Sequence, residues 1–398
     1  MAVISLVALV LCLIPAGYWF LLALGSVRQA RRLTWQDRRP EHRFLIAIPA
    51  HDEERVIART VQRLRELDYP SDLYAIHIVA DHCSDATAAL ARQAGAVVHE
   101  RNEGPRSGKG AALSWLFQRL LATEPCDAIV IFDSDTWVDT AFLRAMDARL
   151  AQGAAVIQGQ HIIRNPDSGW FAALTWAMFI IDNRFQNLGR ANCGWSAKHM
   201  GDSICFRAEV LRSVGWGEGL TEDYQLRQRL LLAGIRIAYE PLAKGYGEAP
   251  QRWSQAQTQR KRWLRGTHDA SSHFARHLLV EGVRRRDAAL LEGAVQAYFP
   301  SYSTLTLISV ALLAIQLLVN VVLGPVFPPS LLWAWGGLVG ALFIYPYVGL
   351  ALERAPLRAY AAVSLGPLYV VLRSWMALSA RYSRQTVAWV RTPHGEEQ

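Results

Sequence analysis

The stretch Ile129-Val-Ile-Phe-Asp-Ser-Asp-Thr136 joins an apolar run to two carboxylates. Its β-branched and aromatic residues predict a buried strand ending at Asp133 and Asp135. Alternation along a strand would turn both carboxylates to one side of the sheet's carboxyl edge, where open α/β sheets bind ligands. Such a pair suits a divalent cation with oxygen ligands, as Mg²⁺ is. The alternative is a helix N-cap ahead of Thr136, and this stretch alone does not decide between the two.

Strand-like and helix-like segments alternate on both sides of this stretch. Strands are predicted at 43–49, 75–80, 96–99, 154–158 and 235–239, with helical patterns between them that include 56–67 and 141–150. Alternation of this kind indicates an α/β domain whose mostly parallel sheet is covered on both faces.

Apolar blocks flank this domain at 3–27, 301–323, 331–352 and 359–379. A helix needs about 20 apolar residues to cross a bilayer, so the first three blocks predict transmembrane helices. Arg373 interrupts the fourth block. Residues 170–181 are apolar but too short to span, and they predict a core or interfacial helix.

Basic residues follow the first apolar block directly: Arg28, Arg31, Arg32, Arg38 and Arg39. The positive-inside rule then places the N-terminus outside and the middle region in the cytoplasm. We therefore expect an integral protein of the inner or plasma membrane. A fourth crossing would put the basic residues after 380 outside, so three crossings are preferred, with the last block interfacial or re-entrant.

The composition excludes several classes of protein. The 398 residues carry a net charge of +8, but only four of the 42 basic residues are Lys. The Arg clusters lie beside apolar blocks, where anionic lipid head groups attract them, and no nucleic-acid-binding motif occurs. Nucleic acid is therefore not an expected partner. The five cysteines never form a C-x-x-C pair, which argues against a disulfide framework or a zinc site.

Polar clusters follow the other predicted strands. Pro49-Ala-His-Asp-Glu-Glu54 follows the first, where its acids could serve only a helix dipole, and Asp81 ends the second. Lys109 lies between glycines at a helix start, a position suited to a phosphate. The surrounding loop lacks the Walker spacing, so a P-loop nucleotidase is rejected.

Two later clusters each have two interpretations. In Leu220-Thr-Glu-Asp-Tyr224, either Thr221 caps a helix whose dipole the acids complement, or the acids carry chemistry. In Gln259-Arg-Lys-Arg-Trp263, the cations form either a solvated helix face or a diphosphate clamp beside a stacking platform.

In this order the segments resemble the membrane-bound glycosyltransferases of family 2, which include cellulose, chitin and hyaluronan synthases and ceramide glucosyltransferases. The likeness covers roughly residues 43–266. The first cluster is similar to the family's P-x-x-N-E-E, with Asp52 where Asn is common. Val79-Ala-Asp-His-Cys-Ser-Asp85 is similar to V-D-D-G-S-x-D, with Ala80 in place of its first Asp. Three further segments match D-x-D, T-E-D and Q-x-x-R-W: Phe132–Asp135, Thr221–Asp223 and Gln259–Trp263.

The resemblance implies a GT-A-like fold and inverting transfer of a sugar from a UDP-sugar to a membrane-associated lipid or growing glycan. It implies that Asp135, helped by Asp133, holds Mg²⁺ or Mn²⁺, and that Asp223 is the catalytic base. Glu222 would position its neighbours, Arg262 would neutralise the diphosphate, and Trp263 would stack on the acceptor. The donor contacts it implies are Pro49, Asp52, Glu53, Asp81, Lys109, Asp133, Gln259 and Arg262.

The resemblance also divides the chain. We expect an anchor at 1–28, a cytoplasmic GT-A domain at 43–266, an amphipathic interfacial segment at 267–298, transmembrane or interfacial helices at 299–380 and a basic tail at 381–398. Polysaccharide or lipid-linked precursor synthesis is slightly favoured over addition of one sugar to a lipid. Two functions without sugar transfer stay open, an inactive membrane scaffold and a peripherally attached sugar-nucleotide-binding protein.

Overall fold

The structure, a computed structural model, describes residues 1–28, 38–217, 221–250, 253–372 and 375, without the side chains of 253–256, 258 and 259. The strands are β1 (Phe44–Ala50), β2 (Tyr74–Asp81), β3 (Val97–Arg101), β4 (Ala128–Ile131), β5 (Trp137–Val138), β6 (Val156–Ile163), β7 (Ile204–Arg207) and β8 (Ile237–Gly247). The helices of the N-terminal half are α1 (Ala2–Gly25), α2 (Ile57–Leu64), α3 (Thr87–Gln93), α4 (Lys109–Thr123), α5 (Phe142–Ala151), α6 (Trp170–Ile181) and α7 (Gly189–Asn192). Those of the C-terminal half are α8 (Ala208–Val214), α9 (Glu222–Leu232), α10 (Trp253–Arg285), α11 (Ala288–Tyr298), α12 (Tyr302–Leu323), α13 (Pro329–Leu352) and α14 (Leu357–Ser364).

The strands form one mixed, mostly parallel sheet in the order β3-β2-β1-β4-β7-β6-β8-β5. Strands β3, β2, β1 and β4 run parallel, and β6 runs parallel to β8. The short β7 lies antiparallel between β4 and β6. The predicted α/β class and mostly parallel sheet are confirmed.

Helices cover both faces of the sheet, and β1 has apolar side chains on both of its faces. Ile46 and Ile48 belong to one core with α2 and α5, while Leu45 and Ala47 belong to a second core with α4. A strand buried on both faces has a continuous apolar sequence, so β1 is recognisable by composition rather than by alternation.

The two acids of the D-x-D segment, Asp133 and Asp135, lie beyond their strand. Strand β4 ends at Ile131, and the acids occupy a turn in which Thr136 N–H donates to Asp133 O. The expectation that strand alternation aligns them was therefore wrong. The helix-cap interpretation was also wrong, because the residues that follow form β5, paired with β8.

Three helices, α1, α12 and α13, are long and apolar enough to cross a membrane. They are joined by polar contacts near one end, where Ser5 Oγ donates to Gln316 Oε1 at 2.6 Å and receives Trp335 Nε1–H at 3.0 Å. At the other end Arg184 donates to both Glu353 and Val27 O. The α/β domain therefore contacts the bundle at the C-terminal ends of α1 and α13.

The described part of the fourth apolar block does not continue the bundle. Helix α14 packs on α6, and Ala359, Ala362 and Val363 join Trp176 in one buried cluster. Helix α6 itself is largely buried and passes into a π-helical turn, Asp182–Leu188. This agrees with the expected core or interfacial role of 170–181. Arg373 and the predicted tail, 381–398, lie outside the described residues.

The segment expected to lie at the interface, 267–298, consists of the later part of α10 and α11. Helix α10 runs without a break across the limit drawn at 266/267. The domain limits stay predictions.

Candidate active site

The loop after β1 is tied to the loop after β2 by its acids. Asp52 has a φ of 53°, in the left-handed region, and its Oδ1 accepts the Ser84 N–H at 2.7 Å. Glu53 is buried, and its N–H donates to Thr87 Oγ1 at 2.7 Å. The first turn of α2 contains no acid, so the helix-dipole role considered for these residues was wrong. Pro49 lies inside β1, opposite Val79.

Asp81, the predicted nucleotide contact, ends β2 and is buried in an ion pair. Its Oδ1 accepts from Arg101 at 2.5 Å and lies 2.9 Å from His82 Nδ1. Arg101 ends the neighbouring strand β3, opposite Asp81 in the parallel register. The pairing of Asp81 with Arg101 was not predicted, because it depends on strand register rather than on a motif.

His51 links this region to the loop before α4. Its Nδ1 bonds to Asp81 O at 2.7 Å, and its Nε2 contacts the Arg106 guanidinium. A guanidinium only donates, so Nε2 accepts and Nδ1 carries the proton. The potential ligand atoms of His51, Asp52 and Cys83 lie within 4.8 Å of one another, close enough to hold a metal ion. Both ring nitrogens of His51 already have hydrogen-bond partners, so neither offers a lone pair to a metal ion in this arrangement.

Lys109 joins the metal motif to the far side of the cleft. It begins α4 after Gly108, whose φ of 104° favours glycine. Its ammonium contacts Asp133 and donates to Gly201 O at 2.6 Å. Burial would lower the pKa of Lys109, but the carboxylates of Asp133 and Asp202 hold it above its ordinary value. This lysine is therefore a fixed cation within the cleft.

Asp202 is a central acid of the cleft that sequence reasoning missed. It is 2% exposed and accepts from Asp133 N–H at 3.2 Å, from Thr136 Oγ1 at 3.1 Å and from His161 Nδ1 at 2.8 Å. Burial would raise the pKa of Asp202, but the hydrogen bond and charge of His161 hold it below its usual range. Asp202 thus orients the turn that carries the two predicted metal ligands.

Glu222 and Asp223 lie next to each other in the first turn of α9, and both are half-buried. Burial raises the pKa of Glu222 to about 7, the charge of Asp223 acts in the same direction, and Lys109 and Arg262 oppose it. Burial also raises the pKa of Asp223. A carboxylate with a raised pKa is a stronger base than an exposed one. The side chain of Thr221 does not cap the helix, so the predicted cap was wrong.

Helix α10 brings the last predicted cluster against these acids. The positive charge of Arg262 acts on both Glu222 and Asp223. Trp263 packs differently, with the Arg260 guanidinium 5.1 Å from its ring centroid. The side chain of Gln259 lies outside the described part of the chain.

The residues around the turn after β4 fit a divalent cation. Asp133 and Asp135 offer carboxylate oxygens, the donors that Mg²⁺ and Mn²⁺ prefer. The charges of both act on the same imidazole, that of His161, so they share one part of the cleft. The contact between Asp133 and the Lys109 ammonium shows that this part of the cleft accommodates a cation.

The structure brings several of the predicted residues together in two sets of contacts. In the first set, hydrogen bonds run from Asp81 through His51 to Arg106. In the second set, Lys109 connects Asp133 to Gly201, and a Cβ on Gly201 would lie 3.5 Å from Asp223 Oδ2 of the candidate base. The catalytic and binding roles of these residues stay predictions.

A model of the family described as glycosyltransferase like family 2 matches residues 40–266, which is more than half of the chain. The chain belongs to glycosyltransferase family 2. The predicted family is confirmed, and the matched range contains all five sequence motifs.

Two curated relatives of this family 2 glycosyltransferase are named for the synthesis of a glycolipid and of a polysaccharide. The β-monoglucosyldiacylglycerol synthase of Synechocystis sp. is 29% identical over 254 residues, which cover 61% of this chain and 51% of that protein. The poly-β-1,6-N-acetyl-D-glucosamine synthase of Staphylococcus aureus is 27% identical over 239 residues, which cover 57% of this chain and 54% of that protein. The chain spans about half the length of the curated relatives it matches.

A solved structure supports the fold of this glycosyltransferase over nearly its whole length. A mannosyltransferase from Pyrobaculum calidifontis, in complex with GDP-Man and Mn²⁺, aligns with 96% of this chain and 99% of that chain, with a TM-score of 0.55 and 16% identity. At that identity the likeness shows the fold alone. It confirms the predicted GT-A-like fold with membrane helices.

Proposed function

We propose that this protein transfers one sugar from a UDP-sugar to a membrane lipid, with inversion at the anomeric carbon. The observation that carries the proposal is the placement of Lys109. Its ammonium contacts the predicted metal motif at Asp133, and its charge acts on Glu222 and Asp223. A cation that could bind a diphosphate and two half-buried carboxylates within one cleft are the groups that such a transfer needs.

The donor side of the cleft contributes binding and charge neutralisation. Lys109 and Arg262 are cations near the site of a departing diphosphate, where positive charge stabilises the leaving group. Asp133 and Asp135 would hold Mg²⁺ or Mn²⁺, which would add further neutralisation when bound. Asp81, held by Arg101, would fix the base or ribose of the nucleotide.

The acceptor side supplies the base. Asp223 would take the proton from an acceptor hydroxyl as the hydroxyl oxygen bonds to the anomeric carbon and the diphosphate leaves from the opposite face. A raised pKa makes the Asp223 carboxylate suited to this proton transfer. An α-linked donor would then give a β-linked product. Glu222 would tune the charge beside the base.

The membrane bundle favours a lipid acceptor over a growing polymer. Among the residues that the structure describes, three helices qualify as spans, and apolar residues such as Leu9, Trp335 and Leu342 fill the space between them. This apolar packing between the described spans favours a lipid acceptor over a polymer that would have to pass between them. The name of the Synechocystis relative, a β-monoglucosyldiacylglycerol synthase, supports the same choice. By the charge rule, the domain would face the cytoplasm.

Reconstituted protein tests the proposal. The purified protein is incubated in vesicles with a panel of radiolabelled UDP-sugars, with and without Mg²⁺ or Mn²⁺, and the lipids are extracted and separated. We expect one labelled lipid carrying a single sugar, formed only with metal and lost in Asp135→Asn. A labelled product of many sugars would replace this function by polysaccharide synthesis. Full activity of Asp135→Asn would contradict the metal assignment.

A further inference from the structure

A cavity of about 230 Å³ lies between the catalytic domain and the end of the third candidate span. Its lining comes from β6, from α6 and the π-helical turn, and from residues 353–356, which follow α13 directly. The lining residues include His161, Phe179, Ile180, Asn183, Glu353 and Arg354. None of the motifs identified in the sequence contributes to it.

The cavity has an apolar wall and a polar end. Phe179 and Ile180 of α6 belong to the apolar side, together with Trp176. At the polar end, the His161 ring lies 5.2 Å from the Phe179 ring, and Asn183 Nδ2 donates to His161 O at 2.7 Å. Ligand sites of this kind combine apolar walls with a few placed polar groups, and the combination suits an amphiphile.

The polar end adjoins the candidate active site. His161 Nδ1 lies 2.8 Å from Asp202 Oδ2, and Asp202 Oδ1 accepts the Asp133 N–H at 3.2 Å. Gly201, next in the chain to Asp202, lies against Asp223. The polar end of the cavity is therefore connected to the metal motif through His161 and Asp202, and Gly201, next to Asp202, lies against the candidate base.

The other end of the cavity lies at the level where the spans meet the domain. Glu353 and Arg354 follow α13, are exposed, and form part of the lining. Arg184 pairs with Glu353 at 2.9 Å and also donates to Val27 O, just beyond α1. The rim is thus at the boundary between the bundle and the domain, where lipid head groups would lie.

Size and polarity restrict the occupant. Pockets for whole drug-sized ligands are roughly 300–1,000 Å³, so this cavity holds a lipid's head while its chains stay outside. Arg354 lies at the rim, whereas the polar end is formed by His161, which is paired with Asp202, and by Asn183, which donates to His161 O. Hydrogen-bonding groups of this kind suit a hydroxyl-bearing head better than a phosphorylated one. We propose that the cavity receives the hydroxyl-bearing head of a neutral glycerolipid acceptor, with Ile180 and Phe179 against the first atoms of its chains. This inference rests on the proposed function and names its acceptor.

A cavity-filling variant tests the site. Ile180→Trp adds bulk to the lining, and Val321→Trp, on the exposed face of α12, is the matched control. Transfer from the preferred UDP-sugar to 1,2-diacylglycerol is measured in phosphatidylglycerol vesicles, with the affinity for the UDP-sugar measured separately. We expect Ile180→Trp to raise the KM for diacylglycerol at least about tenfold, the effect of losing one well-packed contact, while UDP-sugar affinity and the control stay unchanged. An unchanged KM would overturn the site.

A labelling experiment on the unaltered protein does not depend on how the variant folds. Diacylglycerol with a photoreactive group near its glycerol is irradiated with the protein in the same vesicles, and labelled peptides are mapped. Label on 170–183 or 353–356 supports the site, and label confined to α1 and α12 overturns it. Transfer to a polyprenyl phosphate but not to diacylglycerol overturns this inference and leaves the proposed function intact. Failure to bind any UDP-sugar removes the proposed function itself.

Discussion

At the scale of single residues, Asp223 is the side chain on which the proposed reaction depends most. Asp223→Asn removes the base but keeps the shape, so we expect kcat to fall about 10²- to 10⁴-fold. The affinity for the UDP-sugar should change less than kcat, because Asp223 is not itself one of the predicted donor contacts. Sugar transfer and calorimetric donor binding are measured side by side. Asp72→Asn, an exposed aspartate, is the control. Equal activity of both variants would rule out Asp223 as the base.

Glu222 gives the folded protein a specific dependence on pH. Its pKa is raised from 4.5 to about 7, so between these values the folded state binds more protons than the unfolded state. The free energy of unfolding therefore decreases as the pH rises through this window. Glu222→Gln should reduce that decrease, because glutamine cannot ionise. Thermal unfolding in detergent at pH 5, 6, 7 and 8 measures it, and parallel curves for both proteins would contradict the pKa assignment.

Residues in motifs could be found from the sequence, and residues that act through distant partners could not. Asp133, Asp135 and Asp223 could be found because they lie in segments that match the D-x-D and T-E-D motifs of the family. Asp202 and His161 are 41 positions apart, and neither lies in a recognisable pattern, yet they hold the turn after β4. Their pairing depends on β7 entering the sheet antiparallel between β4 and β6, which single-strand patterns do not encode.

At the scale of secondary-structure elements, the contact between α9 and α10 decides how Arg262 reaches the acids. Gly266 of α10 lies against Thr221, and a Cβ on it would be 2.6 Å from Thr221 Oγ1 and Cγ2. Gly266→Ala must therefore push the helices apart, at a cost of about 1–3 kcal/mol of stability. We expect sugar transfer to fall as well, because Arg262 would move away from Glu222 and Asp223.

A matched glycine makes the Gly266 experiment interpretable. Gly337 of α13 has no neighbouring atom within 4 Å of an added Cβ, so Gly337→Ala should leave stability and transfer unchanged. Both variants are compared by thermal unfolding and by initial rate. A Gly266→Ala protein as active and stable as Gly337→Ala would show that α9 and α10 tolerate separation.

Helix α9 is also fixed from its other side by a buried ionic network. Glu292 of α11 accepts from Tyr18 of α1 at 2.6 Å, from Arg190 at 2.7 Å and from Arg227 of α9 at 3.0 Å. Removing one member leaves buried charge unpaired, which typically costs about 3–5 kcal/mol. Glu292→Ala should lower the free energy of unfolding by that amount. Glu281→Ala, in a surface pair with Arg285, should cost less than about 1 kcal/mol, and equal losses would contradict the network.

The sequence predicted elements better than it predicted their contacts. Apolar runs located β1, β2 and β4 and the three candidate spans, because burial requires such runs wherever the element lies. The expected alignment of Asp133 and Asp135 on a strand failed, since β4 ends at Ile131, where its pairing with β1 and β7 stops. Sequence periodicity does not report where pairing ends.

At the scale of the whole molecule, the three candidate spans impose one consistent topology. The start of α1 lies beside the end of α12 and the start of α13, through Ser5, Gln316 and Trp335. The domain contacts the opposite end of the bundle, through Arg184. In a membrane crossed by all three helices, the N-terminus and the α12–α13 turn would share one side, and the domain would lie on the other.

This arrangement predicts which sites are labelled from each side. Glu103→Cys, in the catalytic domain, and Pro325→Cys, in the α12–α13 turn, both introduce exposed thiols. Arg28, Arg354 and Arg358 lie at the domain end of the bundle, so the positive-inside rule places the domain in the cytoplasm. An impermeant maleimide should therefore label Glu103→Cys only in inside-out vesicles and Pro325→Cys only in right-side-out vesicles. Labelling is measured by gel shift, and the labelling of the parent protein, which has five cysteines, is subtracted as background. Both variants labelled from one side would require a span count other than three, whereas an exchange of the two sides would keep the count and reverse the orientation.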